Sequence, residues 1–465
     1  MFDVLLRRRA GFCGASDRLI WLTSLCLLSA CAANSGATYA DVASARAGRE
    51  PGVASERRAR SIAIQGSTLD RAQFVRAVLE QNPSLESGRQ AVRAAAARGR
   101  QAGVFDDPMV DLGLAPLSLG SSKAPVGYEV TLSQRLPWFG KRALEATQAN
   151  AETAAAQSDF EAMRLDLALA AVALYDRYYV AVRSLEINAH HVQLMTVMQD
   201  AANAQLESGR GSALDSLQAE AELAHMEHDT VKLASERDVT VAQMNELLHR
   251  APELPLPPPP SSLPAASSTD SLSAPALEQQ ALDASPELLA TRQRARAEQA
   301  RADRAGRDAY PDFTVSASYN SMWDMPEHRF MLGLGFNLPL QSGRRQGTAD
   351  EAQAMRAQLE SEALRLTDAA RVRVFVLLKE LQESVHVLRL YETRLLPVAR
   401  KQIEQARAGF ATARNPFLAV LEAERSLRGL ELEHQTALAE HFRRRAELDR
   451  ALGRVPGLTG SEERR

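Results

Sequence analysis

Asp107–Arg142, DPMVDLGLAPLSLGSSKAPVGYEVTLSQRLPWFGKR, holds two runs of strict alternation. In the first, Val110, Leu112 and Leu114 point one way while Asp111, Gly113 and Ala115 point the other. In the second, Tyr128, Val130, Leu132 and Leu136 share a face, opposite Glu129, Thr131, Ser133 and Arg135. A period of two is the strand signature, and Gly120-Ser121-Ser122 between the runs is turn chemistry. The stretch therefore predicts a hairpin with strands over 108–116 and 127–137. The pattern returns later. Phe313, Val315, Ala317 and Tyr319 alternate with Thr314, Ser316, Ser318 and Asn320, and Phe330, Leu332, Leu334, Phe336 and Leu338 alternate with Arg329, Met331, Gly333, Gly335 and Asn337. This predicts strands over 312–320 and 329–339. Runs of roughly 8–11 residues are what a tilted strand needs to cross a bilayer. Nearly everything else reads as helix, so the chain is mainly α with a small β part.

Composition bounds the rest. The 465 residues carry a formal net charge of -3 with no long basic block, which does not suggest nucleic acid. Arg7, Arg8, Arg9 and Arg18 precede an apolar run, Leu19–Ala30, too short to span a membrane as a helix. Residues 1–30 read as an export signal. Leu28-Ser29-Ala30-Cys31 resembles the bacterial lipobox. That resemblance implies cleavage before Cys31, a diacylglycerol and an N-acyl chain on that cysteine, and, with Ala32 following, sorting to the outer membrane. Cys13 and Cys26 leave with the signal, so the mature chain has no disulfide and must be stabilised by burial. No later apolar run reaches the length of a membrane-spanning helix, so a membrane crossing has to be made by strands.

Residues 31–67 read as a polar leader. Helix follows from 68 to about 101, with Pro83 near a break. Residues 141–208 contain neither Gly nor Pro and are rich in strong helix formers; a helix of that length measures roughly 100 Å. Gly209-Arg210-Gly211 interrupts it, a second helix covers 212–251, and 252–275 is a Pro/Ser-rich linker. The second half then repeats the first. Asn82-Pro83-Ser84-Leu85 matches Ser285-Pro286-Glu287-Leu288 at a shift of 203, and Asp107-Pro108 matches Tyr310-Pro311 at the same shift. Leu136-Pro137 matches Leu338-Pro339 at 202, and Gly140-Lys141-Arg142 matches Gly343-Arg344-Arg345 at 203. Gly209 pairs with Gly409, and Leu217–Glu220 with Leu421–Glu424. The expected units are therefore repeat 1, 68–251, and repeat 2, 276–453, with a tail over 454–465. Long helices are expected over 348–408 and 416–452, with a kink at Pro397.

Four strands cannot close a barrel, and open edges are not tolerated in lipid. Several copies must each contribute four. The alternation turns Leu, Val and Phe outward and Thr, Ser, Asp, Glu, Arg and Asn toward a wet lumen. The apolar face of 160–187 is wider than its own short neighbours can cover, so helices of other copies must cover it. A fibrous coiled coil is the rival reading, but no strict heptad is sustained.

The order of elements, the duplication, the paired strand starts, LPWFGKR with LPLQSGRR, and the glycine breaks followed by LQAEAEL and LEAERSL resemble the TolC family of outer-membrane efflux proteins over about residues 68–453. The resemblance implies a homotrimer with a twelve-stranded outer-membrane β-barrel continued by a periplasmic α-helical barrel. It implies a passive duct for small substrates, metal ions or drugs, rather than an enzyme, with no cofactor beyond the lipid on Cys31. It also implies a periplasmic adaptor and an inner-membrane resistance–nodulation–division pump as partners. The lipobox suits the lipid-anchored subgroup, and the PWFGKR turn looks closest to members associated with heavy-metal efflux. A duct for type I protein secretion, or a structural periplasmic coiled-coil lipoprotein, are the alternatives. Carried over from the family, Glu422 occupies an acidic constriction position after the second helix turn, while the neighbouring acidic position falls on Ala419. Asp215 matches the acidic residue of the first turn, with Arg414 its basic partner. Tyr128, Trp138, Phe139, Tyr319 and Trp323 lie near strand ends and suit an interfacial aromatic girdle. His190-His191, His225 with His228, and Met322, Met325 and His328 read as surface residues rather than metal ligands.

Overall fold

The computed structural model describes residues 67–119, 125–264, 272–412 and 414–458, all within the compact unit Ile64–Arg465. The export signal, Cys31, most of the leader, the Gly120-Ser121-Ser122 turn and the last residues of the tail lie outside the described residues. Each repeat opens with a pair of helices: α1 (Arg71–Gln81) and α2 (Pro83–Ala102) in the first. Asn82 ends α1 and caps α2, its side chain accepting from Ser84 N–H at 2.9 Å, with Pro83 at a first-turn position that needs no donor. The duplicated Ser285-Pro286 does the same between α5 (Ala274–Ala284) and α6 (Pro286–Arg307). The matched motif of the two repeats is thus a helix-capping device. Pro275 lies inside the first turn of α5, not in the linker as expected, because a proline there forfeits no hydrogen bond.

Strands β1 (Met109–Leu114), β2 (Tyr128–Leu136), β3 (Phe313–Asn320) and β4 (Phe330–Phe336) form one antiparallel sheet in that order. They are shorter than expected. β1 stops because Ala115 makes the last rung, to Gly127 O, and Pro116, which lacks an N–H, starts a 3₁₀ turn. β4 stops because Asn337 makes its last rung to Asp312 O and Pro339 cannot continue. The register keeps the two faces separate. Val110, Leu132, Ala317 and Leu332 form one row and Leu112, Val130, Tyr319 and Phe330 the next; Asp111, Thr131, Ser318 and Met331 line the opposite face. Leu112 and Leu332 are 75% and 78% exposed.

The helical part continues from the strands. α3 (Lys141–Glu207) is unbroken over 67 residues. α4 (Ala213–Leu247) returns beside it. In repeat 2, α7 (Ser342–Leu390) passes into a π turn, Tyr391–Leu395, then α8 (Leu396–Ala411), and α9 (Phe417–Ala451) returns. Pro397 explains the π turn: the ladder loses a donor there, and Leu396 N–H reaches back to Tyr391 O instead. α7 starts at Ser342, earlier than the expected 348, with Gly343 and Gly347 in its first turns, where two glycines masked the helical pattern. Small buried residues, among them Ala149, Ala155, Ala168 and Ala171, let neighbouring helices approach α3 closely.

One core gathers Phe74, Val78, Val172, Tyr175, Tyr178, Met244 and Leu248. The proline-rich stretch is bound to it. Tyr178 Oη donates to Pro257 O at 3.2 Å, Leu69 N–H donates to Pro258 O at 2.8 Å, and Asn245 Nδ2 donates to Leu254 O at 2.7 Å. Residues 252–264 are therefore a strap on repeat 1. A second core lies toward the helix turns, built from Met195, Met226, Ile403, Phe410, Phe417 and Leu421. Among the described residues no helix is long and apolar enough to cross a membrane.

Candidate functional site: sheet ends, helix turns and buried ionic clusters

At the helix end of the sheet, Asp312 sits between the repeats. Its carboxylate accepts from Trp138 N–H at 2.9 Å, Arg135 Nη2 at 2.8 Å and Lys141 Nζ at 2.9 Å. Lys141 is itself buried and reaches Asp308 at 3.1 Å. A buried lysine is tolerated because it is paired twice. Gly140 turns the strand into the helix with φ +82°, and a Cβ there would fall 1.6 Å from Arg307 Nη1, which donates to Phe139 O at 2.9 Å. Trp138 stacks on Tyr310 with ring centroids 5.0 Å apart and touches Phe139 edge-on at 5.8 Å. At the loop end, Tyr128 and Tyr319 lie 5.9 Å apart and Trp323 meets His328 at 6.0 Å. The five aromatics named from the sequence thus fall into two groups at opposite ends of the strands. Tyr310, which completes the inner group, was missed because it lies outside any alternating run.

The two helix turns are built differently. In the first, Gly209 takes φ +71°, Arg210 and Gly211 N–H both donate to Gln205 O, and Ser212 with Asp215 forms a capping box on α4. In the second, Arg414 and Asn415 N–H donate to Gly409 O, and Phe410 packs edge-on against Phe417 at 5.4 Å. Glu422 and Arg414 are exposed. Among the described residues no ion pair joins Asp215 to Arg414; within one chain Asp215 serves the cap.

Above the turns lie charges that sequence reasoning did not find. His191, 1% exposed, sits between two carboxylates: Nδ1 contacts Glu424, and Nε2 lies 3.0 Å from Glu431. Arg407 reaches Glu424 at 3.0 Å and Arg400 reaches Glu431 at 3.4 Å. Both ring nitrogens can donate only if the imidazole is protonated. Burial works against that charge, but the bonds to Glu424 and Glu431 overcome it and raise the histidine to about 9. His191 is therefore not the surface histidine its neighbour His190 suggested. A second buried carboxylate, Glu222, accepts from Arg425 Nε and Nη2 at 2.8 and 2.6 Å, and Arg428 bonds Asn188 Oδ1 at 3.2 Å. These clusters tie α3, α4, α8 and α9 together. The available signal was position: Glu424 lies three residues from both Leu421 and Leu427, inside the apolar stripe of α9.

His441 has the opposite environment. Ser384 Oγ donates to Leu381 O at 2.7 Å and receives Nδ1 of His441 at 2.8 Å. Burial, then Arg445, Arg71 and Arg444, pushes this histidine down to about 4. His225, His228, Met322 and Met325 are exposed. Among the described residues no group of three or more His, Cys, Asp or Glu is arranged to hold a metal ion.

Residues 74–249 and 277–454, covering the two repeats, match the family model described as "Outer membrane efflux protein". The chain is 24% identical over 324 residues to the cobalt-zinc-cadmium resistance protein CzcC of Cupriavidus metallidurans, covering 68% of this chain and 74% of that protein. Among solved structures, CusC, described through its folding and transmembrane channel formation, superposes with a TM-score of 0.71 at 19% identity, covering 83% of this chain and 93% of that one. The outer membrane protein VceC of Vibrio cholerae superposes with a TM-score of 0.70 at 19% identity, covering 82% of this chain and 96% of that one.

Proposed function

The chain belongs to the outer membrane efflux protein family, and on that premise we propose that three copies form a passive, lipid-anchored duct carrying metal cations out of the cell. One observation carries the reading. The four-stranded sheet is apolar on one face and polar on the other, yet β1 and β4 have free edges in a single chain. Such a sheet is stable in lipid only when copies close it. Twelve strands enclose a lumen lined by Asp111, Glu129, Thr131, Ser133, Arg135 and their neighbours, wide enough for water. The long helices extend that lumen into the periplasm. There a periplasmic adaptor links it to an inner-membrane resistance–nodulation–division pump, which supplies the energy. Lipid on Cys31 adds an anchor to the outer membrane. Tyr128, Tyr319 and Trp323 sit at one headgroup level and Trp138 and Phe139 at the other.

Metal cations are favoured as cargo by the relation to a cobalt-zinc-cadmium resistance protein and by the acidic residues near the narrow end. Glu422 from three copies forms a ring there that favours cations, and Asp215 and Arg414 of neighbouring turns hold the closed state. No metal site within the chain is required, since cargo passes through. The test is a deletion strain challenged with cobalt, zinc and cadmium salts beside dyes and detergents. Sensitisation to the metals, restored by the intact gene, is expected. Sensitisation to dyes and detergents alone overturns the metal assignment, and loss of an exported protein with normal resistance indicates secretion instead.

A further inference from the structure

We infer that the level where the strands meet the long helices is a docking surface for anionic phospholipid: Arg142, Arg307 and Arg345 of each copy present guanidinium groups to lipid phosphates, and the apolar side chains beside them enter the acyl chains. The inference rests on the placement of the sheet in the outer membrane proposed above and adds the class of lipid that the protein selects.

The same local arrangement occurs three times. Arg142 donates through Nε and Nη2 to Gly103 O at 3.1 and 2.7 Å, with its guanidinium 3.5 Å from the ring centroid of Phe105. Arg307 Nη1 donates to Phe139 O at 2.9 Å. Arg345 Nη1 donates to Pro339 O. Each arginine is thus held by a backbone carbonyl beside an exposed apolar residue: Phe105 is 48% exposed, Phe139 81% and Leu340 83%. Val104 and Leu338, in the same connections, are exposed too. Phe139 leaves β2, an inner strand of the sheet, so pairing at the sheet edges does not cover it. Arg142 and Arg345 also occupy matched places in the two repeats, Gly140-Lys141-Arg142 and Gly343-Arg344-Arg345. An apolar patch rimmed by cations, at the end of a sheet that crosses a bilayer, is the pattern of a membrane interface.

Charge selects the kind of lipid. A carbonyl oxygen is neutral, so each guanidinium keeps its full charge and has N–H groups left for a phosphate. Most acids of this level are engaged with other cations. Asp308 and Asp312 hold Lys141, Asp312 also holds Arg135, and Glu145 pairs with Arg304 at 2.7 Å. Among the described residues Arg142, Arg307 and Arg345 bond carbonyls and make no ion pair. Asp106 and Asp107, exposed just before β1, are the acids that remain. Residues 103–107, 135–145, 304–312 and 338–345 together carry seven basic and five acidic side chains, an excess of two positive charges per copy. A zwitterionic headgroup leaves that excess standing, whereas an anionic phospholipid neutralises it.

Trp138 stacks on Tyr310 at this level, and Trp323→Phe leaves it as the one tryptophan beyond the export signal. The full-length protein with that change is reconstituted in vesicles of phosphatidylcholine with a minor share of phosphatidylglycerol. Bromine is carried on the acyl chains of one lipid or the other, and tryptophan fluorescence is read. Brominated phosphatidylglycerol is expected to quench Trp138 several-fold more per molecule than brominated phosphatidylcholine, and the excess to shrink in high salt. Equal quenching by the two lipids overturns the anionic preference. No quenching by either lipid overturns the membrane placement, which is a different failure. Inorganic phosphate that abolishes the excess at constant ionic strength assigns the arginines to a soluble anion and overturns the lipid reading. Adding Arg142→Gln with Arg345→Gln is expected to remove most of the excess while quenching by brominated phosphatidylcholine stays. A variant that keeps the full excess overturns the role of these residues. Where that variant fails to fold, the lipid and salt comparison in the parent protein decides.

Discussion

Two residues apart on α9, Glu422 and Glu424 have opposite surroundings. The helix turns by about 200° between them, so one faces solvent and the other is 1% exposed against His191. The sequence showed two acids near a turn but not which of them is inside, nor that His191 rather than His190 is its partner. That depends on how α3 is rotated against α9. The buried pair has a measurable consequence. His191→Leu is expected to cost about 2 kcal/mol, the scale of a charge-assisted hydrogen bond, because Arg407 and Arg400 still satisfy the two carboxylates. The sign in pH follows from a folded value raised from 6.5 to about 9. The contribution is fully present below 6.5 and is lost as pH rises through 9. The apparent melting temperature of the wild type should therefore fall toward the variant's between those values; a constant difference would sink the assignment. His441 runs the other way. Neutral and lowered to about 4, its contribution is lost as pH falls from 6.5 toward 4.

Strands and long helices were legible because their periods are local: two for the sheet, 3.6 for the helices, and a run without Gly or Pro for α3. What was not legible depended on a neighbouring element. The strand ends are set by which N–H still finds a carbonyl across the ladder, and the start of α7 was hidden by two glycines. Those glycines make a contrast. Gly140 and Gly343 occupy matched places in the two repeats, yet Gly140 is left-handed and pressed by Arg307, while Gly343 is helical with open space around it. Gly140→Ala is expected to destabilise by roughly 1–2 kcal/mol from backbone strain alone, more if Arg307 is displaced from Phe139 O. Gly343→Ala, a better helix former at an open position, should be neutral or slightly stabilising. Melting of the two purified variants, side by side, measures this; equal losses would mean that the repeats turn alike.

At the scale of the whole molecule, the need for other copies was readable from the chain alone, since two isolated hairpins cannot satisfy their own edges in lipid. The buried ties of α3 and α4 to α9 near the turns were not readable, because His191–Glu424 and Glu222–Arg425 join residues more than 200 positions apart. The duct reading makes one expectation about conductance. Glu422→Ala, which removes three like charges from the narrow end, should raise single-channel conductance of trimers in planar bilayers and weaken cation preference. Unchanged conductance and selectivity would remove Glu422 from the constriction.

The π turn at Tyr391–Leu395 gives the two repeats unequal stiffness. α3 is one continuous rod, whereas its counterpart, α7 with α8, carries a joint where the hydrogen-bond ladder already changes step. Among the long helices of each chain, α3, α4 and α9 run unbroken and only α7 with α8 carries a joint. In a tube of three chains, bending at that height is then expected in one helix of each copy, while its unbroken neighbours resist it.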